Sequence, residues 1–308
     1  MDLSGEMSEP SSSRQTQSFL IRRFAAAGIR PRTGLGQNFL IDLNLLRVLV
    51  DAADLSPGDV VLEVGTGTGS LTAMMAARAA AVVTVEVDAN LFRLAGEELH
   101  GLANVRMLHL DALESKNRLN PAVLEAVSQE LAASPGRRLK LVANLPYQAA
   151  TPVISNLLAL DEPPCSMTVT LQKELADRLI ARPGSKDYGA MSLWVQSQCR
   201  VKIVRVMPPA VFWPRPKVSS AIVHIALDET LLARIPDREF FHQFIRAMFL
   251  HRRKFLRSEL LIAAKDRLDK PHVDRILGQL GLDPQTRAEQ LDVARMLALC
   301  EAVRAEGA

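Results

Sequence analysis

The sequence predicts an α/β protein with a parallel, doubly wound sheet and a smaller, all-helical C-terminal region. Apolar, β-branched runs alternate with helical patterns through the first part of the chain, which is typical of strands joined by crossover helices. A glycine-rich turn follows the first long run and opens a helix, as strands and helices of such sheets are joined. After Asp228 only the helical period continues.

Seven apolar runs are the predicted strands. They are Val60–Val64, Val82–Val87, Val105–Leu110, Leu139–Ala143, Met167–Leu171, Val201–Val206 and Ala221–Leu227. Between the first five lie helical patterns, at Leu71–Ala79, Leu91–Leu99, Ala122–Leu131 and Val153–Leu160. A short proline-rich segment joins the last two runs, so we expect a hairpin-like end to the sheet. Residues 112–139 are interpreted as a polar, partly helical insertion.

We expect three regions along the chain. Residues 1–28 are a predicted flexible leader, since they begin with serine-rich and acidic positions. Residues 29–230 form a Rossmann-like domain and residues 231–308 a helical domain. Within the latter, Gly281 fits the end of a helix, and Thr286-Arg287-Ala288-Glu289 has the pattern of a capping box that starts the last one.

Composition limits the class of protein. At 308 residues and 48% hydrophobic content, the chain is long enough for a sizeable core and is not intrinsically disordered. It has no apolar run near the roughly 20 residues of a membrane span and no secretory signal. The cysteines, Cys165, Cys199 and Cys300, are too scattered for a disulfide framework or zinc site. We therefore expect a cytoplasmic protein without a membrane partner or a metal.

The net charge of +3 conceals three stretches with basic and no acidic residues. Such segregation is typical of nucleic-acid binding proteins, although three solvated faces that never meet in space are an alternative. In the last stretch Arg246, Arg253 and Arg257 would share one helical face. The stretches contain Arg14, Arg22, Arg23, Arg30 and Arg32; Arg200, Lys202, Arg205, Arg215 and Lys217; and Arg246, Arg252, Arg253, Lys254 and Arg257.

The turn Gly65-Thr66-Gly67-Thr68-Gly69 lets a ligand approach the backbone closely. Ser70 stands where a dinucleotide fingerprint has glycine or alanine, and no lysine follows as in a P-loop. Glu63 precedes the turn, Glu86 ends the second strand and Asp111 follows the third. We expect Glu86 to bind ribose hydroxyls and Asp111 an adenine edge. This set fits S-adenosylmethionine better than a nicotinamide cofactor; solvated carboxylates at strand ends are the alternative.

Asn144-Leu145-Pro146-Tyr147 follows the fourth predicted strand, at the sheet edge where ligands bind in open α/β folds. Pro146 favours an extended Leu145, whose carbonyl can then point outward. Asn144 offers a side-chain acceptor and Tyr147 a ring for stacking. An exocyclic amine held by these two acceptors could be methylated by a neighbouring donor. We infer an N-methyltransferase acting on a base; an ordinary strand-to-loop turn is the alternative.

From about residue 30 to its C-terminus, the chain resembles the small-subunit ribosomal RNA adenine dimethyltransferase family. The motifs are Gly36-Gln37-Asn38-Phe39-Leu40, Glu63-Val64-Gly65-Thr66-Gly67, Val85-Glu86-Val87-Asp88, Asp111-Ala112, Asn144-Leu145-Pro146-Tyr147, Phe212-Trp213-Pro214-Arg215-Pro216-Lys217-Val218, Arg252-Arg253-Lys254 and Arg287-Ala288-Glu289. The resemblance implies S-adenosylmethionine contacts from Asn38, Leu40, Gly65, Glu86, Asp111 and Asn144, with Gln37 close by. One departure is Thr66, where the family usually has proline.

The resemblance also implies N6-dimethylation of two adjacent adenines in the 3′-terminal hairpin of small-subunit rRNA. The substrate would be a pre-ribosomal small subunit and the reaction linked to its maturation, with the enzyme a monomer. Asn144 and the Leu145 carbonyl would accept the amine hydrogens, while Tyr147 and Phe212 would enclose a flipped adenine. A core position is the alternative for Phe212. The RNA contacts would come from Arg215, Lys217, Arg246, Arg252, Arg253, Lys254 and Arg257.

Three other functions are weighed against this one. A resistance methylase acting on large-subunit rRNA shares the glycine turn, but the long helical tail with Arg287-Ala288-Glu289 resembles the small-subunit enzymes. A non-catalytic RNA-binding assembly or transcription factor would be favoured by loss of Asn144 or Glu86, and both are intact. A nicotinamide dehydrogenase is disfavoured by Ser70.

Overall fold

The computed structural model describes residues 17–32, 36–251, 254–264 and 268–306 and contains a sheet of seven strands with helices on both faces. The strands are β1 (Phe39–Leu40), β2 (Asp59–Val64), β3 (Ala81–Glu86), β4 (Val105–His109), β5 (Leu113–Ser115), β6 (Arg118–Leu119), β7 (Arg138–Ala143), β8 (Ser166–Gln172), β9 (Cys199–Met207), β10 (Phe212–Trp213) and β11 (Ser220–Leu227). The helices are α1 (Gln17–Ala26), α2 (Leu43–Ala52), α3 (Ser70–Ala76), α4 (Ala89–Glu98), α5 (Pro121–Ala132), α6 (Tyr147–Leu158), α7 (Lys173–Leu179), α8 (Ala190–Gln196), α9 (Glu229–Leu232), α10 (Arg238–Met248), α11 (Leu256–Ala263), α12 (Lys270–Gln279) and α13 (Val293–Glu306).

The order of strands in the large sheet is β4-β3-β2-β7-β8-β11-β9. The first five are parallel, whereas β11 runs antiparallel to both β8 and β9. All seven predicted strands are therefore present, and the hairpin-like end of the sheet is confirmed. The strand order reverses between β2 and β7. Their carboxyl ends leave a crevice at this point, which is where ligands bind in open α/β sheets.

Two hydrophobic clusters lie on opposite faces of the sheet. Helices α5, α6 and α8 cover one face, and α2 and α3 cover the other. Strand β2 is buried at all six of its positions, which explains why its sequence is a continuous apolar run rather than an alternating one. In the predicted insertion, Val123, Ala126 and Val127 of α5 are buried, so this helix is a core crossover between β4 and β7.

The helices after β11 share their hydrophobic core with the sheet. One continuous cluster joins Val223 and Ile225 of β11 to Phe241 and Ile245 of α10 and to Leu299 of α13. The last strand ends at Leu227, three residues before the predicted boundary at 230. The described residues on both sides of the boundary contribute to one core. The division of the chain into two domains stays a prediction.

Helix α1 corrects the expectation of a flexible leader that reaches residue 28. Leu20 is 0% exposed and Phe24 1%, and both pack in a third cluster with Phe39 of β1 and Leu91 of α4. Arg23 forms an ion pair with Glu98 at 3.0 Å. These partners are distant in sequence, so the leader's local composition did not reveal them.

The helical region brings two further corrections. Arg246 and Arg257 do not share a helical face, since α10 ends at Met248 and α11 begins at Leu256. The predicted capping box does not start the last helix: residues 288–290 form a short 3-10 turn, and α13 begins at Val293. Gly281, with a φ of 60°, does follow the end of α12 as predicted. Among the described residues, no helix is long and apolar enough to cross a membrane.

Candidate active site

A cavity of about 300 Å³ lies in the crevice between the carboxyl ends of β2 and β7. It is lined by all seven residues predicted to contact a cofactor or lie close to it. They are Gln37, Asn38, Leu40, Gly65, Glu86, Asp111 and Asn144. Parallel strands place Gly65, Glu86, Asp111 and Asn144 at one edge of the sheet, while Gln37, Asn38 and Leu40 come from the segment around β1.

The glycine turn after β2 forms the floor of the cavity. Gly65 and Gly67 have φ angles of 90° and 59°, in the left-handed region that favours glycine. A Cβ atom on Gly65 would lie 3.4 Å from the Pro146 ring, so this turn and the Asn-Leu-Pro-Tyr turn pack against each other. Thr66, which replaces the usual proline, bonds its hydroxyl to that of Thr84 at 2.6 Å.

Glu63 is a buried acid at the wall of the cavity. Its side chain is 0% exposed, and one oxygen accepts hydrogen bonds from Thr72 and Thr84, both at 2.6 Å. The other oxygen, Oε1, has no partner among the described residues. Burial raises the pKa of Glu63 to about 8, and these hydroxyl bonds offset only part of the effect. The acid therefore holds its proton at neutral pH in the ligand-free protein.

Glu86 and Asp111 end or follow the next two strands, as predicted. Glu86 is 5% exposed and accepts from the backbone N–H groups of Gly67 and Asp88, each at 3.0 Å. Burial raises the pKa of Glu86, while these two backbone bonds lower it. Asp111 is exposed, and its carboxylate accepts from the Leu113 N–H at 2.9 Å. Both residues line the cavity, and each carboxylate has acceptor positions beyond the bonds named here.

The Asn144 amide is held at both ends. Its Nδ2 donates to the Asn38 carbonyl at 2.9 Å, and its Oδ1 accepts from the Thr170 hydroxyl at 2.5 Å. The backbone carbonyl of the next residue, Leu145, accepts no hydrogen bond from any described group. A side-chain oxygen and a backbone oxygen without a described partner thus lie on consecutive residues, and their role in holding an amine stays a prediction.

The two predicted aromatic residues differ in their surroundings. Tyr147 is half-buried, and its hydroxyl bonds to Ser220 Oγ at 2.6 Å. Burial raises the pKa of Tyr147 and so favours the neutral phenol. Phe212 is only 2% exposed and packs with Leu40 and Met207 in the core. Its predicted stacking on a base therefore requires a movement that this structure does not contain.

The cavity walls carry two buried polar atoms without partners among the described residues, Glu63 Oε1 and Gln37 Nε2. Glu63 Oε1 is an acceptor once the acid is ionised, which a neighbouring ammonium group favours, and Gln37 Nε2 is a donor. The methionine part of S-adenosylmethionine has an ammonium group and a carboxylate, which need these two kinds of partner. Buried polar groups are normally satisfied, so the pair fits this ligand.

A groove of about 1070 Å³ lies beside the cavity, between the sheet helices α6 and α8 and helix α10. Gln148 lines both the groove and the cavity, so the two are adjacent. Arg246, one of the predicted RNA contacts, is exposed and lines the groove. Arg215, Lys217 and Lys254 are also exposed, and their side chains are accessible to a polyanion.

One predicted RNA contact differs from expectation. Arg257 is half-buried and forms a two-pronged ion pair with Asp274, so its charge is already compensated. Arg252 and Arg253 lie outside the described residues. In the second basic stretch, Arg200, Lys202 and Arg205 are exposed on the edge strand β9. Charged side chains at such an edge discourage pairing with other strands, which is a structural reason for their presence.

Sequence reasoning missed the hydroxyl groups that support the site: Thr170 on Asn144, Ser220 on Tyr147, and Thr84 on Glu63. A signal for Thr170 exists in the sequence. Strand β8 is buried at six of its seven positions, yet it contains threonine at 168 and 170. A buried polar residue in an otherwise apolar strand needs a specific partner.

The fold and the cavity together define the class: this chain is an S-adenosylmethionine-dependent methyltransferase. The switch point of the sheet carries the glycine turn and Glu86 on one side and the Asn-Leu-Pro-Tyr turn on the other. The chain belongs to the ribosomal RNA adenine dimethylase family, whose family model matches residues 28–300.

Its relatives agree with that assignment. The chain is 40% identical over 279 residues to the ribosomal RNA small subunit methyltransferase A of Geobacillus kaustophilus, covering 90% of this chain and 92% of the relative. The protein of the same name from Geobacillus thermodenitrificans is 40% identical over 280 residues, covering 91% and 93%. Among solved structures, a dimethyladenosine transferase from Plasmodium falciparum shares the fold, with a TM-score of 0.71, 22% identity and coverage of 86% and 97%.

Proposed function

We propose that this protein transfers methyl groups from S-adenosylmethionine to the N6 amine of two adjacent adenines in the 3′-terminal hairpin of small-subunit rRNA. The observation that carries this proposal is the Asn144 amide, which lines the cofactor cavity with its orientation fixed. It precedes the Leu145 carbonyl, which has no hydrogen-bond partner among the described residues. The Geobacillus relatives, named as small subunit methyltransferases, support the choice of substrate.

S-adenosylmethionine, when bound, supplies the methyl group on a sulfonium with a good leaving group. Glu63 Oε1 and Gln37 Nε2 would hold the amino-acid part, and Glu86 and Asp111 the nucleoside part. The glycine turn allows the ligand to approach the backbone closely. Binding energy from these residues positions the reacting group, and positioning of this kind supplies a large share of the rate in such reactions.

The adenine amine is a weak nucleophile because its lone pair is delocalised into the ring. Asn144 Oδ1 and the Leu145 carbonyl would accept its two hydrogens and favour a pyramidal nitrogen. These contacts accelerate transfer to the extent that they are stronger in the transition state than in the ground state. After transfer the nitrogen is acidic enough to lose a proton to water, so no strong base is needed.

The target adenine has to leave its stack to enter the site, and the free energy of unstacking is small in a hairpin loop. Tyr147 would stack on one face of the base, a contact worth about 1–3 kcal/mol. Its hydroxyl is bonded to Ser220, which limits rotation of the ring. Phe212 would contact the other face only after leaving its core position.

The RNA would run along the groove between α6, α8 and α10, where Arg246 is exposed, with further contacts from Arg215, Lys217 and Lys254. Arg252 and Arg253 would add further contacts, in line with their charge. We further propose that the substrate is a pre-ribosomal small subunit, that the enzyme acts as a monomer and that it works in the cytoplasm.

Large-subunit rRNA is a less favoured substrate. The 23S rRNA methyltransferase ErmE shares the fold, with a TM-score of 0.60, coverage of 87% of this chain and all of that one, and 23% identity. Likeness at this identity concerns the fold alone. The small-subunit relatives are 40% identical over nearly the whole chain, and they favour the small subunit.

The test supplies methyl-labelled S-adenosylmethionine with undermethylated small subunits or, in a parallel reaction, with large subunits. Nucleoside analysis of each rRNA follows, with Asn144→Ala as the inactive control. Dimethyladenosine at two adjacent positions near the 3′ end is the expected product. Label in large-subunit rRNA instead would overturn the substrate assignment. Binding of small subunits without any label would overturn the catalytic assignment.

A further inference from the structure

Thr170 is the residue that holds the oxygen end of the Asn144 amide. It lies on β8, is 0% exposed, and its hydroxyl donates to Asn144 Oδ1 at 2.5 Å. Sheet register explains the contact, because Ala143 pairs with Val169 in the parallel β7–β8 ladder and the next residues follow side by side. Since a buried hydroxyl needs a partner within the protein, this amide oxygen is the acceptor on which Thr170 depends.

The orientation of the amide follows from its other end. Asn144 Nδ2 faces the backbone carbonyl of Asn38 at 2.9 Å, and a carbonyl can only accept. The nitrogen must therefore face Asn38, and the oxygen must face Thr170. A flipped amide would place its oxygen against the Asn38 carbonyl and lose that bond. The amide plane is thus fixed by one donor and one acceptor on different elements.

The Thr170 bond leaves the Asn144 amide oxygen able to accept a second hydrogen bond. A carbonyl-type oxygen has two acceptor positions, and Thr170 occupies one of them. The second remains for a hydrogen of the target amine. Without the Thr170 bond, the amide would be held from the nitrogen end alone, and a small displacement of a reacting contact lowers the rate strongly.

We propose that Thr170 is a positioning residue for methyl transfer: its buried hydroxyl aims the Asn144 oxygen at the target amine. This inference rests on the acceptor role proposed above for Asn144. Thr170 itself does not line the cavity, so it acts through Asn144 and touches neither the cofactor nor the base.

Thr168 provides a matched control on the same strand. It is also 0% exposed, and its hydroxyl bonds to His224 Nδ1 at 2.8 Å instead of to the site. Replacing either threonine by valine removes a buried hydroxyl from β8 and keeps the shape of the side chain. A general effect of such a change on the strand would therefore appear in both variants.

The experiment compares Thr170→Val, Thr170→Ser and Thr168→Val in steady-state methylation of undermethylated small subunits. Thr170→Val should lower kcat about tenfold, as expected for the loss of one hydrogen bond that orients a group in contact with the target amine. The KM for RNA and the Kd for S-adenosylmethionine should stay within about twofold, since Asn38 still holds the amide nitrogen. Thr170→Ser should recover most of the lost rate, and Thr168→Val should keep the wild-type kcat within about twofold.

A wild-type kcat in folded Thr170→Val, or an equal loss in Thr168→Val, would overturn the proposal. Thr170→Ala carries the same test if the valine variant does not fold. Asn144→Ala distinguishes the proposed role of Asn144 from that of Thr170. If this variant retains turnover, the proposed role of Asn144 is wrong, and the role of Thr170, which depends on it, is wrong as well. If Asn144→Ala is inactive while Thr170→Val is fully active, only the role of Thr170 fails.

Discussion

The Tyr147 hydroxyl and Ser220 Oγ lie 2.6 Å apart and join the start of α6 to the start of β11. This bond fixes the ring that follows the Asn-Leu-Pro sequence. Since Ser220 is 0% exposed, its hydroxyl has little access to water as an alternative partner.

Ser220→Ala and Tyr147→Phe should therefore have similar effects, a severalfold loss of kcat with a folded protein, because each removes the same bond. The double variant should be no worse than either single one. Tyr147→Ala should weaken the RNA complex by about 1–3 kcal/mol, since it also removes the stacking ring. Rates from labelled cofactor and a double-mutant cycle test this; additive losses would show that the two hydroxyls act separately.

Asn144→Ala should lower kcat at least about 100-fold, the loss typical of removing a preorganised group that stabilises a transition state. The affinity for small-subunit rRNA should stay close to wild type, because the basic groups are unchanged. Filter binding and single-turnover methylation measure the two effects independently. Full turnover in this variant would disprove the acceptor role.

Arg246→Glu combined with Lys254→Glu should weaken RNA binding and flatten its dependence on salt. For single-stranded regions each lost phosphate contact lowers the slope of log K against log salt by about 0.7. Arg257→Gln is the matched control, because its charge is already paired with Asp274. Titrations at several salt concentrations test this; an equal loss of slope in the control would show that Arg257 also contacts RNA.

Glu63 should make the ligand-free protein less stable as the pH rises. Its pKa is about 8 in the folded protein against an ordinary value of 4.5, so the folded state holds a proton that the unfolded chain releases. The free energy of unfolding then falls as pH rises between these values. Burial lowers the pKa of His242 to about 4, which acts in the opposite direction at lower pH.

Denaturant unfolding at pH 6.5 and pH 8 is the measurement for Glu63, because His242 is largely neutral in both states of the protein over most of that interval. The wild type should lose stability across it, and Glu63→Gln should lose distinctly less. An identical pH profile for the two proteins would mean that Glu63 is ionised in the folded state at neutral pH.

Phe24→Ala should destabilise the protein by about 3–5 kcal/mol, as expected for truncating a fully buried phenylalanine. Its ring lies 5.0 Å from that of Phe39 and 5.4 Å from that of Trp213. Ile21→Ala on the same helix is the control, since Ile21 is 42% exposed and should change stability by about 0.5 kcal/mol or less. Urea unfolding curves compare them, and equal effects would contradict the packing of α1.

The sequence was sufficient for the features that depend on local pattern. The apolar runs predicted all seven strands of the main sheet, and the motifs predicted seven cofactor-site residues that do line one cavity. Parallel strands bring their carboxyl ends to one edge, so residues that follow successive strands meet there regardless of the helices between them. Glu86, Asp111 and Asn144 could therefore be brought together from the sequence.

Only the tertiary structure decided which groups are buried and what they touch. Tertiary packing buries Glu63 and so raises its pKa. Packing also places Phe212 in the core and covers one face of α1, and each of these effects depends on residues far away in sequence. The same holds for Thr170, which meets Asn144 through the register of two strands separated by a helix. Local periodicity specifies an element and its apolar side, whereas a partner across the fold is specified only by packing.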